Sequence, residues 1–184
     1  MVRTNVDLLA YMERLVISKN LKVVQETRKR DDLLIKQNSV VNTVFIVKQG
    51  LVKCYLTEES GKDFIQEFFG PGELFGEIEV FHRKLSFCAI EAITPLEVFK
   101  ITHRDFVHLL ENDKEFNRHI LTSLVSKVYY KGQRHSYNQN HTIKDKMEKF
   151  EIEFPEWRKL ISKKDVANYF GITERSLNRV LSDR

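Results

Sequence analysis

The spacing of apolar residues along this 184-residue chain changes twice. Near the N-terminus Leu8, Leu9, Met12, Leu15 and Val16 recur at helical spacing and predict an amphipathic helix. From about Leu21 to Ile101 the repeat shortens. Runs rich in β-branched and aromatic residues fall at Val23-Val24, Leu33-Leu34-Ile35, Val44-Phe45-Ile46-Val47, Val52 to Leu56, Phe64 to Phe69 and Leu96 to Ile101. Turn signals separate them at Lys48-Gln49-Gly50, Glu59 to Lys62 and Gly70-Pro71-Gly72. Many short strands with regular turns predict an antiparallel sandwich or barrel.

The helical period then returns. Thr102 followed by Asp105 marks a helix start, and Phe106, Leu109 and Leu110 are its buried side. A longer helix carries Phe116, Ile120, Leu121, Leu124, Val125 and Val128 and is expected to end near Gly132. Its stripe suits either a partner copy or the chain's own barrel. Residues 133–141 are polar and aperiodic, which predicts a hinge. Thr142 to Phe150 reads as a short charged helix, and Pro155 separates it from the last unit. The expected divisions are a β-domain over 1–112, a long helix over 113–133, a hinge over 134–141 and a helical unit over 142–184.

That last unit carries the most specific local pattern. Ser162 with Asp165 is a capping box that starts one helix, and Ala167 is small enough for a close helix crossing. Gly171 can take the positive φ that ends this helix, and Thr173 caps the next. In that second helix Leu177, Val180 and Leu181 face inward, leaving Arg175, Asn178, Arg179 and Ser182 outward with Glu174 on the flank. This is the layout of a helix-turn-helix whose second helix enters the major groove of double-stranded DNA. Arg175 or Arg179 suits guanine and Glu174 suits cytosine. Ser162, Lys163 and Lys164 are placed for phosphate, and Thr173 and Ser176 lie at the groove-facing end.

Charge supports this reading. From Arg158 to Arg184 there are seven basic and three acidic residues, an excess equal to the +4 of the whole chain. A local basic excess suits a phosphate-binding surface. Chemistry of other kinds finds little footing. Two cysteines, Cys54 and Cys88, in strand-like surroundings read as buried, reduced and structural. They are too few for a usual iron–sulfur cluster, and the six histidines form no tight ligand set, so no metal site is expected. No nucleophile–base set appears, so an enzyme is not expected. No apolar run reaches the length of a membrane span and no signal peptide is legible, so the expected location is cytoplasmic, with no membrane partner.

Taken as a whole, the chain resembles the Crp/Fnr family of bacterial transcription regulators. The resemblance rests on Phe45 to Gly50, Gly61-Lys62-Asp63, Phe69 to Glu77, Ile90-Glu91-Ala92, Glu97 to Ile101 and the C-terminal motif. It implies an α+β fold: a jelly roll of the cyclic-nucleotide-binding type with flanking helices, a long dimerisation helix, and a winged-helix-like helix-turn-helix without an obvious full wing. It also implies a homodimer joined through the helix from Glu115 to Lys131, with Phe116, Ile120, Leu124 and Val128 as the seam, and RNA polymerase as a possible partner. In the family the stretch ending at Phe75-Gly76-Glu77 opens the phosphate-binding cassette.

The cassette departs from the pattern of cyclic-nucleotide binders. Gly76 and Glu77 match, but alignment on Ile90-Glu91-Ala92 puts Ser86 where the phosphate-pairing Arg belongs and Phe87 where a Ser or Thr belongs. Arg83 and Lys84 lie earlier in the loop, within possible reach. Lys131 and Gly132 fall where cAMP-responsive members contact the base. A buried cyclic phosphate needs a paired cation. The expectation is therefore a pocket that does not bind cAMP and takes another small molecule or is purely structural. The recognition helix also departs: its leading pair is Glu174-Arg175 where the family often has Arg-Glu. Ending at Arg184 without a wing predicts modest DNA affinity and a shallow salt slope. The competing reading is a ligand-sensing module whose helical unit contacts only protein.

Overall fold

The computed structural model describes residues 2–18 and 23–182. The architecture is α+β. Short strand β1 (Val2–Arg3) and helix α1 (Val6–Ser18) precede eight strands: β2 (Val24–Arg28), β3 (Leu33–Ile35), β4 (Thr43–Gln49), β5 (Val52–Thr57), β6 (Asp63–Phe69), β7 (Leu74–Phe75), β8 (Ala89–Ala92) and β9 (Leu96–Thr102). Helix α2 (Glu77–His82) lies between β7 and β8. The strands form two sheets, in orders β1-β6-β5-β8-β3 and β2-β9-β4-β7. Pairing is antiparallel except between β1 and β6.

Between the sheets lie Phe45, Val47, Val52, Phe69, Phe75, Ile90 and Val98. The alternate residues of β4 and β9, such as Val44, Ile46, Phe99 and Ile101, face the other way into a second cluster built by α1 (Leu8, Met12), α3 (His103–Asn112; Phe106, Leu109) and α4 (Lys114–Asn140; Phe116, Ile120). Strand β4 is apolar at successive positions because both its faces are covered.

Helices α5 (Ile143–Glu153), α6 (Trp157–Leu160), α7 (Lys163–Phe170) and α8 (Glu174–Ser182) follow. They close over the remaining sheet face. Met147, Phe150, Trp157, Val166, Tyr169 and Leu177 share one cluster with Ile65 and Phe68 of β6. Lys53 reinforces the seam, lying 2.9 Å from Glu91 on β8 and 3.1 Å from Asp165 on α7.

Two expectations change. The polar stretch 133–141 is not a loop: α4 runs without a break through Asn140. Side-chain bonds at helical spacing hold it, from Gln133 to Tyr129 and from Asn140 to the Ser136 carbonyl, and Arg134 ties it to the barrel. The chain bends instead at His141 and Thr142, where Thr142 and Asp145 form the capping box of α5. The stripe assigned to dimerisation is also divided. Phe116 and Ile120 are fully buried in the barrel cluster and Leu124 packs against it, whereas Val128 is 73% exposed. The outward apolar residues of α4 are Leu121, Val125, Val128 and Tyr129. No described helix is long and apolar enough to cross a membrane.

Candidate nucleic-acid interface and effector cavity

The C-terminal helices form as their caps dictate. Ser162 Oγ accepts the Asp165 N–H at 3.0 Å and fixes the start of α7. Gly171 closes that helix at φ 69°, its N–H directed to the carbonyls of Ala167 and Asn168. Thr173 Oγ1 accepts the Ser176 N–H at 3.1 Å and starts α8. Leu177 anchors α8 in the core, with Val180 and Leu181 half-buried beside it. Glu174, Arg175, Asn178 and Arg179 consequently share the exposed side. Among the described residues neither Arg175 nor Arg179 forms an ion pair, and both are exposed. Lys163 and Lys164 are exposed at the start of α7, and Lys163 Nζ donates to Asn178 Oδ1 at 2.9 Å. The structure thus brings the sequence-selected residues onto one surface. Ser162, Thr173 and Ser176 already have partners within the caps.

The second candidate site is a cavity of about 230 Å³ between the sheets, α2 and α4. Gly76 and Glu77 line it as expected. Gly76 has φ 88°, and an added Cβ would meet the Thr43 carbonyl oxygen at 2.4 Å, so only glycine fits at this turn. Glu77, 1% exposed, begins α2. Its carboxylate is bonded to Lys127 Nζ, and the same ammonium donates to the Leu74 carbonyl at 2.6 Å. Lys127 is itself 7% exposed. One turn later Lys131 lies 3.2 Å from Glu67. Burial raises the Glu79 carboxyl above its ordinary range at the cavity's edge.

Other sequence-selected pocket residues lie elsewhere or serve otherwise. Ser86 does not line the cavity: its hydroxyl donates to the Lys36 carbonyl at 2.6 Å and accepts the Ser39 N–H at 3.1 Å, pinning a neighbouring turn. Phe87 lines the mouth and is 70% exposed. Arg83 and Lys84 border a separate groove with Val40 and His103. The cations come from the far end of the chain, on α4. Their signal was legible, since Lys127 continues the buried series Phe116, Ile120 and Ser123 at helical spacing. Cys54 and Cys88 are partly exposed on the cavity wall, not buried as expected. Alternation along β5 from the core residue Val52 puts Cys54 there, opposite a bulge in β6 at Gln66. The β5–β6 register steps from Tyr55↔Ile65 to Cys54↔Glu67, a bulge that leaves Ile65 on the outer face and turns Glu67 inward beside Cys54.

Residues 25–113 match the cyclic nucleotide-binding domain family. The match runs from β2 through β9 and α3 and stops just before α4. The fold is shared with FixK2 from Bradyrhizobium japonicum, at a TM-score of 0.75 and 19% identity over 89% of this chain and 84% of that one. The likeness is one of fold, shared with solved regulators of the CRP and Crp/Fnr families. The fold is also shared with a CRP-family transcriptional regulator from Thermus thermophilus, with a TM-score of 0.73 and 17% identity over 86% of this chain and 83% of that one. By sequence, the chain is similar to the cAMP-activated global transcriptional regulator CRP of Pasteurella multocida, 25% identical over 96 residues, or 52% of this chain and 46% of that protein. The Thermus and Pasteurella proteins are transcriptional regulators.

Proposed function

We propose that this chain is a Crp/Fnr-type homodimeric regulator that reads double-stranded DNA with α8. One observation carries the reading: an exposed row of Glu174, Arg175, Asn178 and Arg179 on a helix locked from behind by Leu177 and fixed at both ends of the turn by Gly171 and Thr173. The groove-facing side chains need a rigid mount, and the caps supply it. Lys163 and Lys164 add cationic groups at the neighbouring helix start, where backbone N–H groups also suit phosphate.

The homodimer is read from the unpartnered side of α4. Leu121, Val125 and Val128 recur at i, i+4 and i+7, a seam that a second α4 would cover. Such a pairing would hold two α8 helices roughly one DNA turn apart, about 34 Å, on a palindromic site.

The cavity is read as closed to cyclic nucleotides. Glu77, the position that holds a ribose hydroxyl in cyclic-nucleotide binders, is already satisfied by Lys127. A cAMP molecule would have to displace that buried ion pair and would find no arginine in exchange, because Ser86 is committed to the turn at Lys36. Selection of binding sites from random duplex DNA by the purified chain tests the main claim. A palindromic consensus with fixed half-site spacing is expected, and absence of any preferred duplex overturns it. Calorimetric titration with cAMP is expected to give no heat, and micromolar or tighter binding overturns the cavity reading.

A further inference from the structure

We propose that Cys54 and Cys88 close into a reversible disulfide on the cavity wall when the protein meets a hydroperoxide. They are the only two cysteines of the chain. Strand register brings them together from 34 positions apart. Cys54 lies opposite Ile90 in the antiparallel β5–β8 pair, and Cys88 precedes Ile90 by two residues. Cys88 lies one residue outside the β8 ladder and reaches the same cavity wall as Cys54. Both line one cavity, and both are partly exposed.

The two thiols are not equivalent. Cys88 sits just outside β8, beside the exposed Phe87 at the cavity mouth, whereas Cys54 is held within β5. Cys88 is therefore assigned as the attacking sulfur and Cys54 as the resolving one. Outside the ladder, the backbone at Cys88 can make the small approach that a bridge requires.

The chemistry balances with the peroxide as sole oxidant. The Cys88 thiolate attacks the peroxide O–O bond, which breaks. A hydroxyl group stays on sulfur as a sulfenic acid, and the other oxygen leaves as an alkoxide or hydroxide that takes up a proton. The Cys54 sulfur then attacks the Cys88 sulfur. An S–S bond forms, the S–O bond breaks, and the departing hydroxide takes the Cys54 proton and leaves as water. Two electrons pass from the sulfur pair to the peroxide, and a dithiol returns them by exchange.

The test uses the full chain, hydrogen peroxide, thiol titration and intact-mass measurement. Both free thiols are expected to disappear together, with the loss of two hydrogen atoms from a monomeric chain, and dithiothreitol should restore both. Oxygen addition without cross-linking, a cross-link between chains, or two thiols that survive excess peroxide would each overturn the proposal. In Cys54→Ser the sulfenic acid should persist on Cys88 and be trapped by dimedone, whereas Cys88→Ser should leave Cys54 unreactive. The wild-type mass change decides the matter even if a variant folds poorly, and none of these readouts depends on DNA binding.

Discussion

Lys127 of α4 and Glu77 at the start of α2 form a buried ion pair across 50 positions of sequence, joining the long helix to the barrel. Removing one partner leaves the other charge stranded. Lys127→Met should therefore destabilise the fold by about 3–5 kcal/mol. The double variant Lys127→Met with Glu77→Gln should recover most of that loss. Urea unfolding of the four proteins in the cycle measures the coupling, and additive losses would mean that the two side chains act independently.

The two sides of α4 should respond in opposite ways to the same substitution. Val125→Glu places charge on the exposed side and should shift the dimer to monomer in analytical ultracentrifugation, with monomer stability changed by no more than about 0.5 kcal/mol. Ile120→Glu buries the charge in the barrel cluster and should unfold the chain. A dimer unaffected by Val125→Glu would place the seam elsewhere.

On α8, Arg179→Ala should cost about 1–3 kcal/mol at one position of the preferred DNA site and relax sequence preference there. Thr173→Ala removes a cap rather than a contact. It should lower thermal stability by about 1 kcal/mol while leaving the preferred sequence unchanged. Competition binding against single-base variants of the selected site distinguishes the two.

Gly171 sits at φ 69° with open space where a Cβ would go. The cost of Gly171→Ala is thus conformational rather than steric, about 1–2 kcal/mol. Calorimetric unfolding should show it, and no change would mean the turn can re-form at negative φ.

Lys53 gives a pH signature. Burial alone would lower its amine, but hydrogen bonds and attraction from Glu91 and Asp165 outweigh it and the group ends above the usual lysine value. A raised folded value means that the stabilisation is complete at neutral pH, below the unfolded lysine range, and is lost only as alkali titrates the folded group. The stability gap between wild type and Lys53→Met should stay level from pH 6 to 9 and shrink in stronger alkali. A gap that changes near neutrality would assign it to another group.

Much of the fold follows from local pattern. Caps and glycines fall on rigid geometry, so Ser162, Gly171 and Thr173 could be read directly, and the strand runs from Val44 to Val47 and Phe64 to Phe69 are apolar enough to locate. What escaped depended on partners distant in sequence. Residues 133–140 are polar, yet they are helical because Arg134 reaches the barrel and Tyr169. Phe116 and Val128 look alike in sequence, and only the position of the barrel decides that one is core and the other surface. Lys127 escaped for a simpler reason: it lies outside the cassette and enters the cavity from α4, as Lys131 does.

Arg134 spans two units. Its guanidinium donates to the Gln66 carbonyl, at the bulge in the cavity wall, and to the Tyr169 carbonyl near the end of α7, while stacking over the Tyr169 ring at 3.9 Å. A single side chain thus acts as a strut between the chamber and the C-terminal helices. A displacement of the bulge by even a fraction of an ångström must either stretch that strut or carry the end of α7 with it.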